Sequence, residues 1–171
     1  MGPKVLTKSI IGIVVFSFVF SIFLIPPVAH GQTTINVPGD YSTIQDAIDA
    51  ANPGDTINVA AGTYNENIRW EWPNVTIQGA GADVTTINGG ANGSPVLNIY
   101  SRITAASTLD GFTITNGLST KGGGGILTSA PLNISNCVFT NNTASGKNSN
   151  GGGIFAGAPP TVVNCTFSGN T

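Results

Sequence analysis

The sequence predicts an all-β fold: a parallel β-helix, a solenoid of stacked coils, with a short capping α-helix at its N-terminal end. Three observations predict it. The last fifty residues state one unit twice. Laid at an offset of 28 without a gap, residues 123–143 and 151–171 match at 11 of 21 positions, from Gly123-Gly124-Gly125-Ile126 to Asn142-Thr143. A fixed period of this size marks an architecture in which each unit stacks on its neighbours. The chain after residue 34 is also a series of short runs that alternate apolar and polar residues between Gly, Asn and Pro. Finally, charged residues make up only 8% of the chain while Gly, Asn, Thr and Ile abound. That composition suits β structure with many turns and lacks the Leu, Glu and Lys of a helical domain.

The first 31 residues read as an address. Lys4 and Lys8 precede an apolar run from Ile10 to Ile25, Pro26-Pro27 ends it, and Ala29-His30-Gly31 sets small residues before Gln32. This is the pattern of a secretory signal peptide over 1–31, cleaved after Gly31. The competing reading is an uncleaved anchor, but the run from 10 to 25 is shorter than the ~20 residues a spanning helix needs. The expected mature chain is secreted or displayed at the cell surface, with no membrane segment. It has no histidine, and Arg69, Arg102, Lys121 and Lys147 stand against eight acids, a net charge of −4. Nothing in that balance offers nucleic acid a basic footprint.

Residues 32–55 predict the cap. Thr34-Ile35-Asn36-Val37 is a short strand stopped by Pro38-Gly39. Ser42 and Gln45 have capping-box spacing, and Ile44, Ala47, Ile48 and Ala51 form an apolar helical stripe before Asn52-Pro53-Gly54-Asp55. Terminal units of a solenoid are atypical because they cover an exposed apolar end. Residues 56–171 predict the coils. Alternating runs occur at 56–59, 64–68, 74–79, 84–89, 95–99 and 109–117, and Leu109–Gly117 aligns with Ile134–Asn142 at an offset of 25. Runs recurring in one orientation every 25–28 residues stack parallel, one per coil. The chain ends on Gly169-Asn170-Thr171 inside a repeat, which predicts further coils and an open edge that takes them.

Thr43-Ile44-Gln45-Asp46-Ala47-Ile48-Asp49-Ala50-Ala51 followed by Gly54-Asp55-Thr56-Ile57, with Gly62-Thr63-Tyr64 and Glu66-Asn67-Ile68, resembles the N-terminal turn of pectin-lyase-like β-helices. Gly124-Gly125-Ile126 with Phe139-Thr140-Asn141-Asn142, and Gly152-Gly153-Ile154 with Phe167-Ser168-Gly169-Asn170, are similar to the repeats of polymorphic outer-membrane proteins. The first resemblance implies a right-handed helix. The superfamily includes pectate lyases and pectin methylesterases as well as non-enzymatic surface proteins, so it implies a fold more than an activity.

Candidate chemistry is sparse. Polysaccharide-cleaving β-helices need convergent carboxylates, or Ca²⁺ held by several acids beside a base. Here Asp40, Asp46, Asp49 and Asp55 lie in or near the cap, Glu66, Glu71 and Asp83 are scattered, Asp110 stands alone, and residues 122–171 carry no acid. No catalytic residue, metal ligand set or cofactor is expected, and Glu66 is expected to tie down a loop. Cys137 and Cys165 recur one coil apart, in phase with the inward Phe139 and Phe167; stacked buried thiols and a disulfide both fit. Asn136 with Asn164 and Asn142 with Asn170 predict ladders between coils, with left-handed backbone where a corner demands it.

Trp70 and Trp72 are the strongest binding candidates. Two apart on an extended segment, they are expected to face one way with Arg69 and Glu71 on the other. Aromatic faces stack on sugar rings, and Arg69, Glu71 or Tyr64 could supply hydrogen bonds; the alternative is that both tryptophans pack inside. The expected function is a secreted or cell-surface structural or adhesive repeat protein, with polysaccharide or another surface component as partner. The alternative is the N-terminal part of a polysaccharide-active enzyme whose catalytic coils lie outside this chain.

Overall fold

The computed structural model describes residues 31–147 and 150–171; the apolar run read as a signal peptide lies outside them. Strand β1 (Thr34–Val37) and helix α1 (Ile44–Ala50) come first. The first coil holds β2 (Thr56–Val59), β3 (Gly62–Asn65) and β4 (Ile68–Trp70). The second holds β5 (Thr76–Gly79), β6 (Thr85–Asn88) and β7 (Leu97–Ile99). The third holds β8 (Thr108–Asp110), β9 (Thr113–Thr115), β10 (Leu118–Ser119) and β11 (Ile126–Thr128). The fourth holds β12 (Asn133–Ser135), β13 (Val138–Thr140), β14 (Thr143–Ala144) and β15 (Ile154–Ala156), and β16 (Thr161–Val163) and β17 (Thr166–Ser168) follow. Among the described residues every pairing is parallel, in three main sheets: β1-β2-β5-β8-β12-β16, β3-β6-β9-β13-β17 and β4-β7-β11-β15. The chain is a parallel β-solenoid of about four turns.

Stacking is in register, so like residues fall on like. The first sheet sets Ile57, Ile77, Leu109 and Ile134 in one inward column. The second sets Ile87, Ile114 and Phe139 in another, and the third Ile68, Leu97 and Ile126. All ten are buried. Each such side chain removed from water contributes about 1.5–3 kcal/mol, which lets strands of three or four residues hold together. The repeat offsets survive intact: Leu109 pairs with Ile134 and Ile126 with Ile154.

Two expectations need correction. A coil carries three main strands rather than one, because several alternating runs fall within each turn and some are split at a corner. Leu109–Gly117, read as a single strand, is split into β8 and β9, which lie in different sheets. Gly111, at φ +75°, makes the bend between them, in a backbone region that other residues resist. The helix cap also moves by one residue. Thr43, not Ser42, is the N-cap, and its Oγ1 accepts from the Asp46 N–H at 3.0 Å. The Ser42-to-Gln45 and Thr43-to-Asp46 spacings are equally regular, and Gln45 is engaged elsewhere.

The helix covers the first coil. Ile44, Ala47 and Ile48 are fully buried against β1, β2 and β4. Glu66, expected to tie down a loop, reaches from the first coil to the helix start. Its two carboxylate oxygens accept the Ile44 and Gln45 N–H groups, each at 3.0 Å. A carboxylate at that position meets both orphan donors and the positive end of the helix dipole.

The asparagine ladders form. Asn164 donates to Asn136 at 2.6 Å, and both residues are left-handed. Asn142, fully buried, donates to Asn170 and to the Ile114 carbonyl and accepts from the Gly117 N–H. The left-handed corner beside this second ladder falls one residue earlier, on Asn141 and its partner Gly169. The glycine runs bring backbones together: a Cβ on Gly124 would stand 2.6 Å from the Thr143 nitrogen. Cys137 and Cys165 are free thiols, the first buried and the second half-buried.

Candidate functional site

Strand β4 ends at Trp70, and the chain then leaves the sheet at Trp72-Pro73. The alternation that would aim both tryptophans one way therefore stops between them. Trp70 is wholly buried, and its indole N–H donates to the Pro73 carbonyl at 2.7 Å. Trp72 is 54% exposed. The two do not share a face, and an aromatic pair clamping one ligand is not formed.

Trp72 instead lines an open groove of about 690 Å³ with Arg69, Glu71, Gln45 and Asp49. Arg69 comes from the outer side of β4 and Glu71 from just beyond its end, and Gln45 and Asp49 come from α1. Gln45 joins the two elements. Its side-chain carbonyl accepts the Arg69 N–H at 2.8 Å and its amide donates to the Arg69 carbonyl at 3.1 Å. The amide thus occupies the place of a neighbouring strand along the free edge of β4. It also donates to the Asp49 carboxylate at 2.9 Å.

Charge within the groove is partly matched. The Arg69 guanidinium donates twice to the same oxygen of Glu71, through Nε at 2.7 Å and through Nη2. This bonding holds the arginine above its ordinary pKa, so it is charged at every accessible pH. Its guanidinium also lies 5.2 Å from the Tyr100 ring centre, a cation–π distance. Tyr100 receives the Asn98 amide on its hydroxyl at 3.0 Å. With Arg69 paired to Glu71, Asp49 leaves the groove one negative charge in excess.

Tyr64, the fifth candidate, lies elsewhere. It pairs with Ile87 in the inward column of the second sheet, and its hydroxyl donates to the Ala60 carbonyl at 3.0 Å. Burial, with Glu66 nearby, raises its phenol above the ordinary value. Gln45 and Asp49 were read from the sequence as cap residues, and Tyr100 was not singled out. A register argument finds Tyr100, since Trp70 pairs with Ile99 and places Glu71 beside it. Gln45 and Asp49 reach the groove only through the packing of the helix, which no repeat announces.

Three further acids, Asp55, Asp40 and Asp110, hold the fold. Asp55 accepts the Thr33 and Asn52 N–H groups at 2.8 Å each, and Asp40 accepts from Asn36. Asp110 accepts from Ser135 at 2.6 Å and Asn136 at 2.7 Å across a coil boundary. Among the described residues no three His, Cys, Asp or Glu side chains converge as a metal site. No helix among them is long and apolar enough to cross a membrane. The chain finds no match among protein-family models, curated proteins or solved structures.

Proposed function

We propose that the chain is a secreted or cell-surface β-solenoid, a structural and adhesive module that binds polysaccharide in the groove at Trp72. The observation that carries this reading is the placement of Trp72. A large aromatic side chain stands 54% exposed on the outer wall, ringed by polar groups able to bond hydroxyls, while its neighbour Trp70 packs inside. Aromatic faces beside hydrogen-bonding side chains suit the apolar face and hydroxyl rim of a sugar. The Lys4-to-Gly31 pattern supports export. The resemblance of 43–68 to pectin-lyase-like β-helices, and of 122–171 to polymorphic outer-membrane repeats, supports a place outside the cytoplasm.

The last rung carries the same stacking residues as the one before it. Phe167 stacks on Phe139 with ring centres 4.8 Å apart and planes 5° from parallel, yet Phe139 is buried and Phe167 is 49% exposed. Val162 is likewise exposed where Ile134, one coil earlier, is buried. These exposed side chains occupy the same inward positions as the buried ones of the rung before.

Sedimentation with insoluble glycans tests the binding claim. The purified chain is expected to pellet with at least one plant or microbial polysaccharide, and Trp72→Ala to stay in the supernatant. Wild-type protein that pellets with none refutes the binding claim. Export is tested by secreting the full reading frame from a host cell. Protein found only in the cytoplasm, still carrying residues 1–31, refutes that part.

A further inference from the structure

The charges around Trp72 discriminate among glycans. A uronic-acid polymer needs unmatched positive charge for its carboxylates, as Arg or Lys supply it. Here the one arginine of the groove already gives two donors to Glu71 and rests on Tyr100. Asp49 adds a further negative charge from the helix. A carboxylate entering the groove would meet two like charges and a cation already bonded. Like charges a few ångströms apart repel, the more so at low ionic strength.

For a neutral sugar the same residues are well chosen. The carboxylate oxygens of Asp49 and Glu71 that are not already bonded to Gln45 and Arg69 accept hydrogen bonds from hydroxyls without a charge to balance. Trp72 offers a flat face to the C–H side of a pyranose whose hydroxyls are equatorial. The wall does not stop at one ring. Arg69 pairs in register with Asn98, and a second depression next to it is lined by Asn67, Arg69, Ser94, Pro95 and Asn98. Apart from the already paired Arg69, that extension carries no charge, and successive coils advance by about 4.8 Å, close to the length of one pyranose unit.

Resting on the glycan reading above, we propose that the groove is selective: it takes a linear chain of neutral, equatorially substituted pyranoses along the solenoid axis and rejects uronic-acid chains.

The test is tryptophan fluorescence of the exported chain titrated with cellohexaose, xylohexaose and hexagalacturonate. Trp70 stays buried and supplies a constant background. Cellohexaose or xylohexaose is expected to change the Trp72 signal, glucose at least about tenfold more weakly than its hexamer, and hexagalacturonate not at all. Trp72→Ala, at an exposed position that leaves the coils intact, is expected to abolish the response. The double variant Asp49→Asn, Glu71→Gln frees Arg69 and turns the excess charge positive. It is expected to acquire hexagalacturonate binding that weakens in salt. Binding of hexagalacturonate in preference to both neutral hexamers by the wild type overturns the selectivity and leaves glycan binding standing. Silence toward all three hexamers overturns the selectivity; only failure to pellet with any polysaccharide overturns the glycan reading itself.

Discussion

The side-chain amide of Gln45 pairs with both backbone groups of Arg69, at 2.8 and 3.1 Å, as a strand would. A parallel sheet leaves a row of unmet N–H and C=O groups at each end, which invites pairing with another chain. One glutamine on a seven-residue helix closes part of that row, and Glu66 fixes the helix that carries it. Glu66→Ala is expected to cost about 2 kcal/mol, since two hydrogen bonds to a charged group and a dipole contact are lost together. Gln45→Ala is expected to cost about 1 kcal/mol and to speed hydrogen exchange at the Arg69 amide. Urea denaturation and amide exchange measure both; an unchanged midpoint for Glu66→Ala contradicts the capping role.

Asn142 and Asn170 occupy one place in successive coils but differ in what surrounds them. Asn142 is completely buried and holds the Gly117 N–H and the Ile114 carbonyl, both at 2.9 Å. Asn142→Ala removes a buried side-chain network and leaves the Gly117 N–H without its partner, and is expected to destabilise by about 3 kcal/mol. Asn170→Ala, half-buried at the open end, is expected to cost about 1 kcal/mol. Equal losses from thermal or urea unfolding of the two variants contradict this gradient along the ladder.

These pairs show what the sequence could and could not disclose. Registers and ladders were legible because a solenoid writes its contacts into its period: Ile126 meets Ile154 because the chain repeats at 28. Corners were harder. Nothing in the apolar pattern of 109–117 reveals that Gly111 turns the chain into a second sheet. The groove was half legible. Arg69, Glu71 and Trp72 were visible as an aromatic and charged cluster, yet the parting of Trp70 from Trp72 depends on where β4 ends. Asp49 enters only through the docking angle of α1, set by Ile44, Ala47 and Ile48 below it.

Cys137 makes a pH-dependent contribution whose sign follows from burial. Loss of solvation, chiefly, pushes its thiol from an ordinary 9.0 up to about 12. Below pH 9 folded and unfolded chains both keep the proton. From pH 9 to about 12 the unfolded chain alone releases it, so stability falls across that window by up to about 4 kcal/mol. Cys137→Ala is expected to flatten the difference in urea midpoint between pH 8 and pH 10.5 relative to wild type. At pH 8, maleimide is expected to label Cys165 well before Cys137, since a buried neutral thiol is a poor nucleophile. Equal labelling rates, or an identical pH slope in the variant, contradict the burial of this thiol.

The open end predicts an asymmetry between two stacked phenylalanines. Phe139 is enclosed by coils on both sides, so Phe139→Ala removes a fully buried ring and is expected to cost about 3–5 kcal/mol. Phe167 has a neighbour on one side only and already meets water on the other, so Phe167→Ala is expected to cost about 1–2 kcal/mol. Covering that end reverses the balance. Appending a third copy of residues 144–171 after Thr171 sets a new phenylalanine over Phe167 and a new asparagine beside the Asn170 backbone. In a one-dimensional array each added interface adds to stability, so the extended chain is expected to melt higher and to aggregate less. In that background Phe167→Ala is expected to become as costly as Phe139→Ala. Calorimetry of the four chains decides the matter: if Phe167→Ala costs the same with and without the added coil, the exposed end is not a site for another rung.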